Sequence, residues 1–485
     1  MTRTLLAAAA AAVLAAPALA AQTPVPASSI TNYPVRGTGT VVLRAARVID
    51  GTGAAPIANG EVVVTNDRIV AVRRQGGGDT PAGARVIDLG NATLLPGFID
   101  THVHIIGRTL NDPGSRDEST RDYPGFGAIL GAENARRTLM NGFTSIRVLG
   151  APNFDDVALR SAIDQGYAVG PRIQAAGNSV GITGGHCDSN GYRPGLMEGD
   201  YRDGVADGLD QVRAAVRYQA KYGADAIKVC ATGGVLSEGD AVGVPQYTQE
   251  ELNALVAESR QLERPVAAHA HGAEGIKMAT RAGVSSIEHG SFLDEEGARL
   301  MATRGVYLVP TLSAGETVVT AADRGVLTGF RAEKARQAGA AMRRAIRIAV
   351  AANVPIALGT DAGVGQHGAN GHEFTLMAQW GGMTPMQTIV AGTRNAARLL
   401  GWEERLGTLA AGKLADVVAV AGDPLQNVQT LETAVFVMKN GVVYKEPQRP
   451  GSSQNHRSTA SGRRRLSYRH HHLFPSLVPR FSFFQ

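Results

Sequence analysis

Between residues 93 and 401, short apolar runs alternate with longer stretches whose apolar residues recur at helical spacing. The runs at 95–104, 144–150, 172–177, 226–232, 265–271, 286–290, 306–312 and 355–363 read as strands. The stretches 207–222, 250–263, 273–282 and 330–352 read as helices between them. Eight strands with intervening helices over roughly 300 residues predict an α/β architecture, a (β/α)8 TIM barrel.

The flanks have a different rhythm. Short β runs at 41–43, 47–49, 60–64, 68–72 and 84–88 are separated by turn residues such as Asn66-Asp67. After the barrel, 407–420 is β again, and Asn440-Gly441 between 435–438 and 442–444 is a hairpin signal. These two sets predict one small discontinuous β-sandwich clamping the barrel. Its parts are 40–93 and 403–445, and the barrel occupies 94–402.

The chain has 485 residues, 44% hydrophobic and 19% charged, which is ordinary globular composition with room for a large core. The net charge of +5 misleads. Eight cations and one anion lie from Lys445 onward, so the tail carries +7 and the body about −2. A near-neutral body argues against nucleic acid as a partner. Residues 446–485, with Arg463-Arg-Arg465 and His470-His-His472 but no periodicity, read as a disordered or non-native tail. Residues 1–20 read as a signal peptide: Arg3, an apolar run at 5–16, then Ala18-Leu19-Ala20. That run is too short to span a bilayer, so no membrane partner is expected. Residues 21–39 read as a flexible lead-in. The expected location is the periplasm or the exterior. Cys187 and Cys230 could pair there, but two cysteines are no disulfide framework, and buried free thiols are the plainer reading.

The chemistry lies at the predicted strand ends, where barrels of this type carry their catalytic groups. Asp100-Thr-His-Val-His104 ends strand 1, and a side-chain period of two puts His102 and His104 on one face. Lys228 is on strand 4, His269 and His271 on strand 5, His289 on strand 6 and Asp361 on strand 8. The chain has 12 histidines, and outside the tail triplet five of nine fall at strand ends. Imidazoles with a carboxylate suit zinc and similar metals. A buried lysine loses its proton readily, and its free amine takes up CO2 to form a carbamate able to bridge two metals. Two divalent ions can hold a hydroxide and polarise a carbonyl, with Asp361 moving the proton as general base and acid.

These residues, in this order, resemble the metal-dependent amidohydrolase superfamily over residues 40–445. The resemblance implies that His102 and His104 bind the more buried metal and that Lys228 is the carboxylated bridge. It implies that His269 and His289 bind the second metal and that Asp361 is both ligand and base. It also implies that His269 rather than His271 is the strand-5 ligand, leaving His271 a catalytic place behind the ligands or at the substrate carbonyl. Ile182-Thr-Gly-Gly-His186, Ala231-Thr-Gly-Gly-Val235 and Asn141-Gly-Phe-Thr-Ser-Ile-Arg147 are similar to the imidazolonepropionase-like and prolidase-like branch. That branch includes dipeptidases and hydrolases of the amide bond in ochratoxin A. An aspartate commonly follows its strand-2 arginine; here Val148 stands there. Relatives often form homo-oligomers, including octamers.

The expected function is therefore a binuclear hydrolase of dipeptides or N-acyl amino acids with a free carboxylate, ochratoxin A among them. Two divalent ions, Zn2+ by donor type, and the Lys228 carbamate are its expected cofactors. His186, Arg147, Tyr247 and His367 are candidate substrate contacts; Tyr192, Arg193 and His372 are further ones. The alternative with the same fold is a cyclic amidohydrolase or deaminase of the imidazolonepropionase or cytosine type. Such relatives commonly use one metal and lack the lysine. A metal-buffering or ligand-binding protein is the non-enzymatic reading.

Overall fold

The apolar run at 95–104 is not one strand, because Gly97 divides it. A Cβ on Gly97 would come 2.2 Å from Thr144 Oγ1, so the chain turns there at a point where only glycine fits. The computed structural model describes residues 33–112, 114–115, 118–123 and 125–447. The signal-peptide expectation, most of the lead-in and the tail expectation lie outside the described residues.

The chain opens with β1 (Thr40–Val48), β2 (Ile57–Thr65), β3 (Arg68–Arg74), β4 (Arg85–Asp88) and β5 (Ala92–Pro96). Then come β6 (Phe98–Val103), α1 (Glu118–Arg121), α2 (Phe126–Met140), β7 (Phe143–Val148), α3 (Asp155–Asp164) and β8 (Arg172–Ala175). α4 (Gly208–Lys221), β9 (Ile227–Cys230), α5 (Gln249–Gln261), β10 (Val266–Ala270), α6 (Ala273–Ala282) and β11 (Ser286–His289) follow. Next are α7 (Glu295–Arg304), β12 (Tyr307–Val309), α8 (Leu312–Asp323), α9 (Gly329–Ala351), α10 (His372–Gly381), α11 (Pro385–Val390) and α12 (Ala396–Leu399). β13 (Val417–Ala421), β14 (Ala434–Lys439) and β15 (Val442–Lys445) close it.

Two parallel arcs, β6-β7-β8 and β9-β10-β11-β12, make the barrel wall. Cys230 N donates to Val180 O at 2.8 Å and Ala226 N to Ala175 O at 3.2 Å, which joins the arcs on one side. The eighth strand, expected at 355–363, has no ladder of its own. It is an extended segment held at both edges: Leu308 N donates to Pro355 O at 2.9 Å, and Thr101 N donates to Leu358 O at 2.9 Å. The protein is thus an α/β barrel closed by hydrogen bonds rather than by continuous strand pairing.

The flanking strands form one sheet in the order β15-β14-β13-β5-β1-β2-β3, with β4 beside β1. Its two halves meet where β13 pairs antiparallel with β5, Val418 opposite Leu95. Leu43, Val62 and Ile69 share a buried core with Val417, Phe436 and Met438, so neither half buries its apolar face alone. This accounts for the discontinuous arrangement.

α8 is an element the sequence pattern hid. The run at 306–312 read as strand, but β12 stops at Val309, and Thr311 adopts φ 48° where the helix begins. α8 contains Gly315, Thr317, Val318, Val319 and Thr320, all modest helix formers. Packing on α9 supplies its stability: a Cβ on Gly315 would lie 2.4 Å from Met342 Sδ. Glu373, on α10, accepts from the Leu312 and Ser313 amides at 2.8 Å each and caps the helix from 60 residues away.

Candidate metal centre and active site

Strand alternation delivers most of the site. On β9, Ile227 and Val229 pack outward into the core, leaving Lys228 and Cys230 inward. On β10, Val266, Ala268 and Ala270 pack outward and His269 faces in, with His271 beyond the strand end. β11 breaks the rule. Ile287 packs outward, so Ser286 and Glu288 are the inward pair, and His289 falls on the wrong parity. It reaches the barrel mouth because its φ is 69°, a left-handed turn off the strand end.

The histidines converge. Ring centroids are 5.5 Å apart for His102 and His104, 5.1 Å for His102 and His289, and 4.6 Å for His269 and His289. Asp361 Oδ1 is 3.5 Å from His102 Nε2 and 3.3 Å from His104 Nε2. His102 Nε2, His269 Nε2 and Asp361 Oδ1 are buried without a hydrogen-bond partner among the described residues. Such orphaned atoms are costly unless something else engages them. The ligand atoms of His102, His289 and Asp361 lie within 4.8 Å of one another, as do those of His269, His271 and His289. Burial, the leading cause, pushes His102, His269 and His289 well below the ordinary imidazole range, so they are neutral donors. Burial likewise lowers Lys228 to about 8, against the opposing charges of Glu288 and Asp361. Neutral imidazoles, a carboxylate and a deprotonatable lysine fit a divalent-metal centre. Both strand-5 histidines reach it, and the geometry does not single out His269.

Other groups hold these rings. His102 Nδ1 donates to Glu288 Oε2 at 2.8 Å, His271 Nδ1 meets Ser291 Oγ at 2.7 Å, and His289 Nδ1 meets Thr311 Oγ1 at 2.8 Å. In each case the second nitrogen is left for the centre. The sequence reading missed Glu288, although an acidic residue at inward parity in Ile287-Glu-His-Gly290 was the available signal.

Six expected substrate contacts are placed elsewhere. Arg147 is wholly buried, donating to Thr101 O at 2.7 Å, Ser286 Oγ at 3.1 Å and Glu288 Oε1 at 3.0 Å. It supports Glu288 beneath His102 instead of lining the cavity, because β7 holds it too deep in the barrel. Glu288 therefore supplies its carboxylate partner, while Val148 packs outward with Ile146 and Ile173. Tyr247 is buried with its hydroxyl donating to Ala206 O at 2.9 Å. His367 is buried outside the cavity lining and lowered to about 4 by burial and then by the nearby His104. Tyr192 and Arg193 are exposed, away from the lining. His372 lies between Glu316 and Glu432 instead.

His186 does line the cavity, stacked on His269 with centroids 4.1 Å apart. Its Nδ1 lies 2.9 Å from Ser237 Oγ, which donates to Asp240 Oδ1 at 2.6 Å, and Lys334 Nζ donates to the same oxygen at 3.1 Å. Cys187, beside it, forms a disulfide with Cys230, against the free-thiol expectation. The loop after β8 returns over β9 and brings the two Cα atoms to 6.0 Å. The clustered histidines, Lys228, Asp361, His186 and the disulfide line a cavity of about 520 Å³.

Comparison with known proteins follows the same lines. The profile described as "Amidohydrolase family" matches residues 93–445. The ochratoxinase of Aspergillus niger is 33% identical over 431 residues, covering 84% of this chain and 87% of that protein. The crystal structure of a Xaa-Pro dipeptidase with bound methionine in the active site superposes with a TM-score of 0.79 at 38% identity, covering 84% of this chain and 100% of that one. A prolidase complexed with N-methylphosphonate-L-proline gives 0.76 at 30% identity, with coverage of 84% and 100%. The chain belongs to the amidohydrolase family and is a hydrolase acting on amide bonds.

Proposed function

We propose that this protein is a binuclear amidohydrolase cleaving dipeptides or N-acyl amino acids that carry a free carboxylate. Ochratoxin A, an amide of that kind, is within the proposed range. The observation that carries the reading is the convergence of orphaned donors: His102 Nε2, His269 Nε2 and Asp361 Oδ1 beside the buried Lys228. Resemblance to an ochratoxinase and to a dipeptidase holding methionine supports the substrate class.

His102, His104, His269, His289, Asp361 and Lys228, the last as a carbamate, would hold two divalent cations. When bound, such ions, Zn2+ by donor type, supply an activated water and polarise the amide carbonyl. The protein's own part is positioning and proton movement. Asp361 takes the water's proton and delivers it to the departing amine nitrogen. His271, its Nδ1 held by Ser291, presents Nε2 toward the carbonyl oxygen. Export to an oxidising compartment belongs to the same reading and is supported by the Cys187–Cys230 bond.

The test is metal content measured beside activity on dipeptides, N-acyl amino acids and ochratoxin A, after preparation with zinc and bicarbonate. Two metals per chain with amino-acid release are expected. One metal per chain with ammonia release would transfer the protein to the deaminases. Asp361→Asn should lower kcat by about a thousandfold; an Asp361→Asn enzyme with full activity would end the proposed proton route.

A further inference from the structure

A second cavity, of about 870 Å³, adjoins the catalytic one, since Ile106 and Pro152 line both. None of the metal-centre residues lines it. The chain enters α3 beside it through an uncommon turn. Asn153 and Phe154 are consecutive non-glycine residues, each at φ 57°. Left-handed backbone is costly for a residue as bulky as Phe154 and persists only where its surroundings impose it. The turn brings Phe154 and Asp155 to the cavity together.

Asp155 has no internal partner. It is 9% exposed and, among the described residues, makes no hydrogen bond or ion pair. Burial pushes its carboxyl above the usual carboxylate range. The neighbouring Asp156 is fully engaged, accepting from the amides of Ala176 at 3.0 Å and Gly177 at 2.9 Å. The other carboxylates of the lining are engaged as well. Asp122 is held by Arg108 at 3.1 Å, Glu198 accepts from the Gly195 amide at 2.8 Å, and Asp203 accepts from the Asp200 amide at 3.1 Å. Arg202, the one cation among the described lining residues, is taken by Asp200 at 3.0 Å. A buried carboxylate in that position is stabilised by a cation that arrives from outside.

The rest of the lining suits such a ligand. The rings of Phe154 and Tyr218, 6.1 Å apart between centroids, both line the cavity. Aromatic faces attract cations and cover apolar surface. Adjacent rings already hold cations in this way: Arg108 lies 5.1 Å over Phe126, and Lys221 lies 4.9 Å over Tyr222.

We propose that this cavity binds an organic cation, an ammonium or guanidinium carried on an apolar body. Asp155 takes the charge, and Phe154 and Tyr218 take the body. Two sources offer that chemistry: a free amine, or a cationic residue on the acyl side of a longer substrate.

Calorimetry on the full-length, zinc-loaded protein with phenethylammonium, 2-phenylethanol and phenylacetate tests the site. The ammonium should bind about 10–100-fold more tightly than the alcohol, the worth of a charged hydrogen bond, and phenylacetate should not bind. Asp155→Asn should weaken the ammonium by that factor while melting within a few degrees of the wild type. Phe154→Leu, which keeps the carboxylate, should weaken it by about threefold. Phenethylammonium that raises the KM of Lys-Gly-Phe but not that of acetyl-Phe assigns the cation to the substrate, and any other pattern assigns it to a free amine. Absent binding of the ammonium, equal binding of the three probes, or unchanged binding in Asp155→Asn overturns the inference. The titrations need no turnover, so an inactive protein would overturn the proposed function and leave this site standing.

Discussion

Glu288 Oε2 accepts a hydrogen bond from His102 Nδ1 at 2.8 Å, and both side chains are fully buried. The other oxygen of Glu288 accepts from Arg147 at 3.0 Å, so one carboxylate both orients His102 and neutralises a buried cation. Glu288→Gln keeps the volume and removes the charge. Arg147 then stays buried without a counter-ion, which costs about 3–5 kcal/mol. His102 loses its orienting acceptor, and zinc affinity falls about 10–100-fold. Urea unfolding and chelator competition measure the two effects. Adding Arg147→Met should recover part of the stability but not the zinc affinity. Wild-type values for both in Glu288→Gln would show that this carboxylate does not position the ligand.

The legible part of the site is the part that obeys strand alternation. His102, His104, Lys228 and His269 face the barrel interior by parity alone. His289 does not, and its placement depends on a left-handed residue that the following Gly290, at φ 59°, helps accommodate. Arg147 has inward parity, but parity says nothing about depth, and at its level the interior is packed rather than open. α8 escaped notice because its stability comes from Met342 and Glu373, both distant in sequence. The fold class was legible from the alternation of eight apolar runs with helical stretches. The exact closure of the barrel was not, since the last segment relies on bridges to both neighbours.

The relay from His186 through Ser237 and Asp240 to Lys334 predicts a distant effect on turnover. Ser237 has one proton and donates it to Asp240, so it accepts from His186 Nδ1 and leaves Nε2 facing the cavity. Ser237→Ala frees the ring to turn. Losing one such bond is worth about 1.4 kcal/mol, or tenfold, in kcat/KM. Zinc stoichiometry should hold, because Ser237 is outside the donor groups. Unchanged kinetics in Ser237→Ala would show that His186 is positioned by its stacking on His269 alone.

The Cys187–Cys230 bond joins residues 43 apart in sequence and tethers the segment carrying His186 to the strand carrying Lys228. Loop closure of that length is worth about 4 kcal/mol by the chain-entropy account. Cys187→Ser with Cys230→Ser should lose about that much stability, and reductant should lower the melting temperature of the wild type but not of the double variant. Thiol titration of the unfolded, unreduced protein should find no free thiol among these two. Two titratable thiols, or a reductant-insensitive melt, would return both residues to the status of buried cysteines.

His372 joins three parts of the chain and makes one contribution to the pH dependence of stability. Its Nε2 lies 2.8 Å from Glu316 on α8, and its Nδ1 lies 3.3 Å from Glu432 in the segment leading to β14. Burial lowers its pKa, but the hydrogen bonds and charges of the two glutamates outweigh burial and raise it above the ordinary value near 6.5. An imidazole between two carboxylates satisfies both only when protonated. With the folded pKa above the unfolded one, the stabilisation is fully present below about 6.5 and is lost as pH rises through the raised folded value. His372→Gln should therefore lower the melting temperature more at pH 6 than at pH 9. The wild type should lose stability over that interval by more than the variant does. Parallel melting curves of the two proteins from pH 5.5 to 9 measure the difference directly. Curves separated by a constant amount would mean that His372 contributes packing rather than charge, and that another group sets the pH profile.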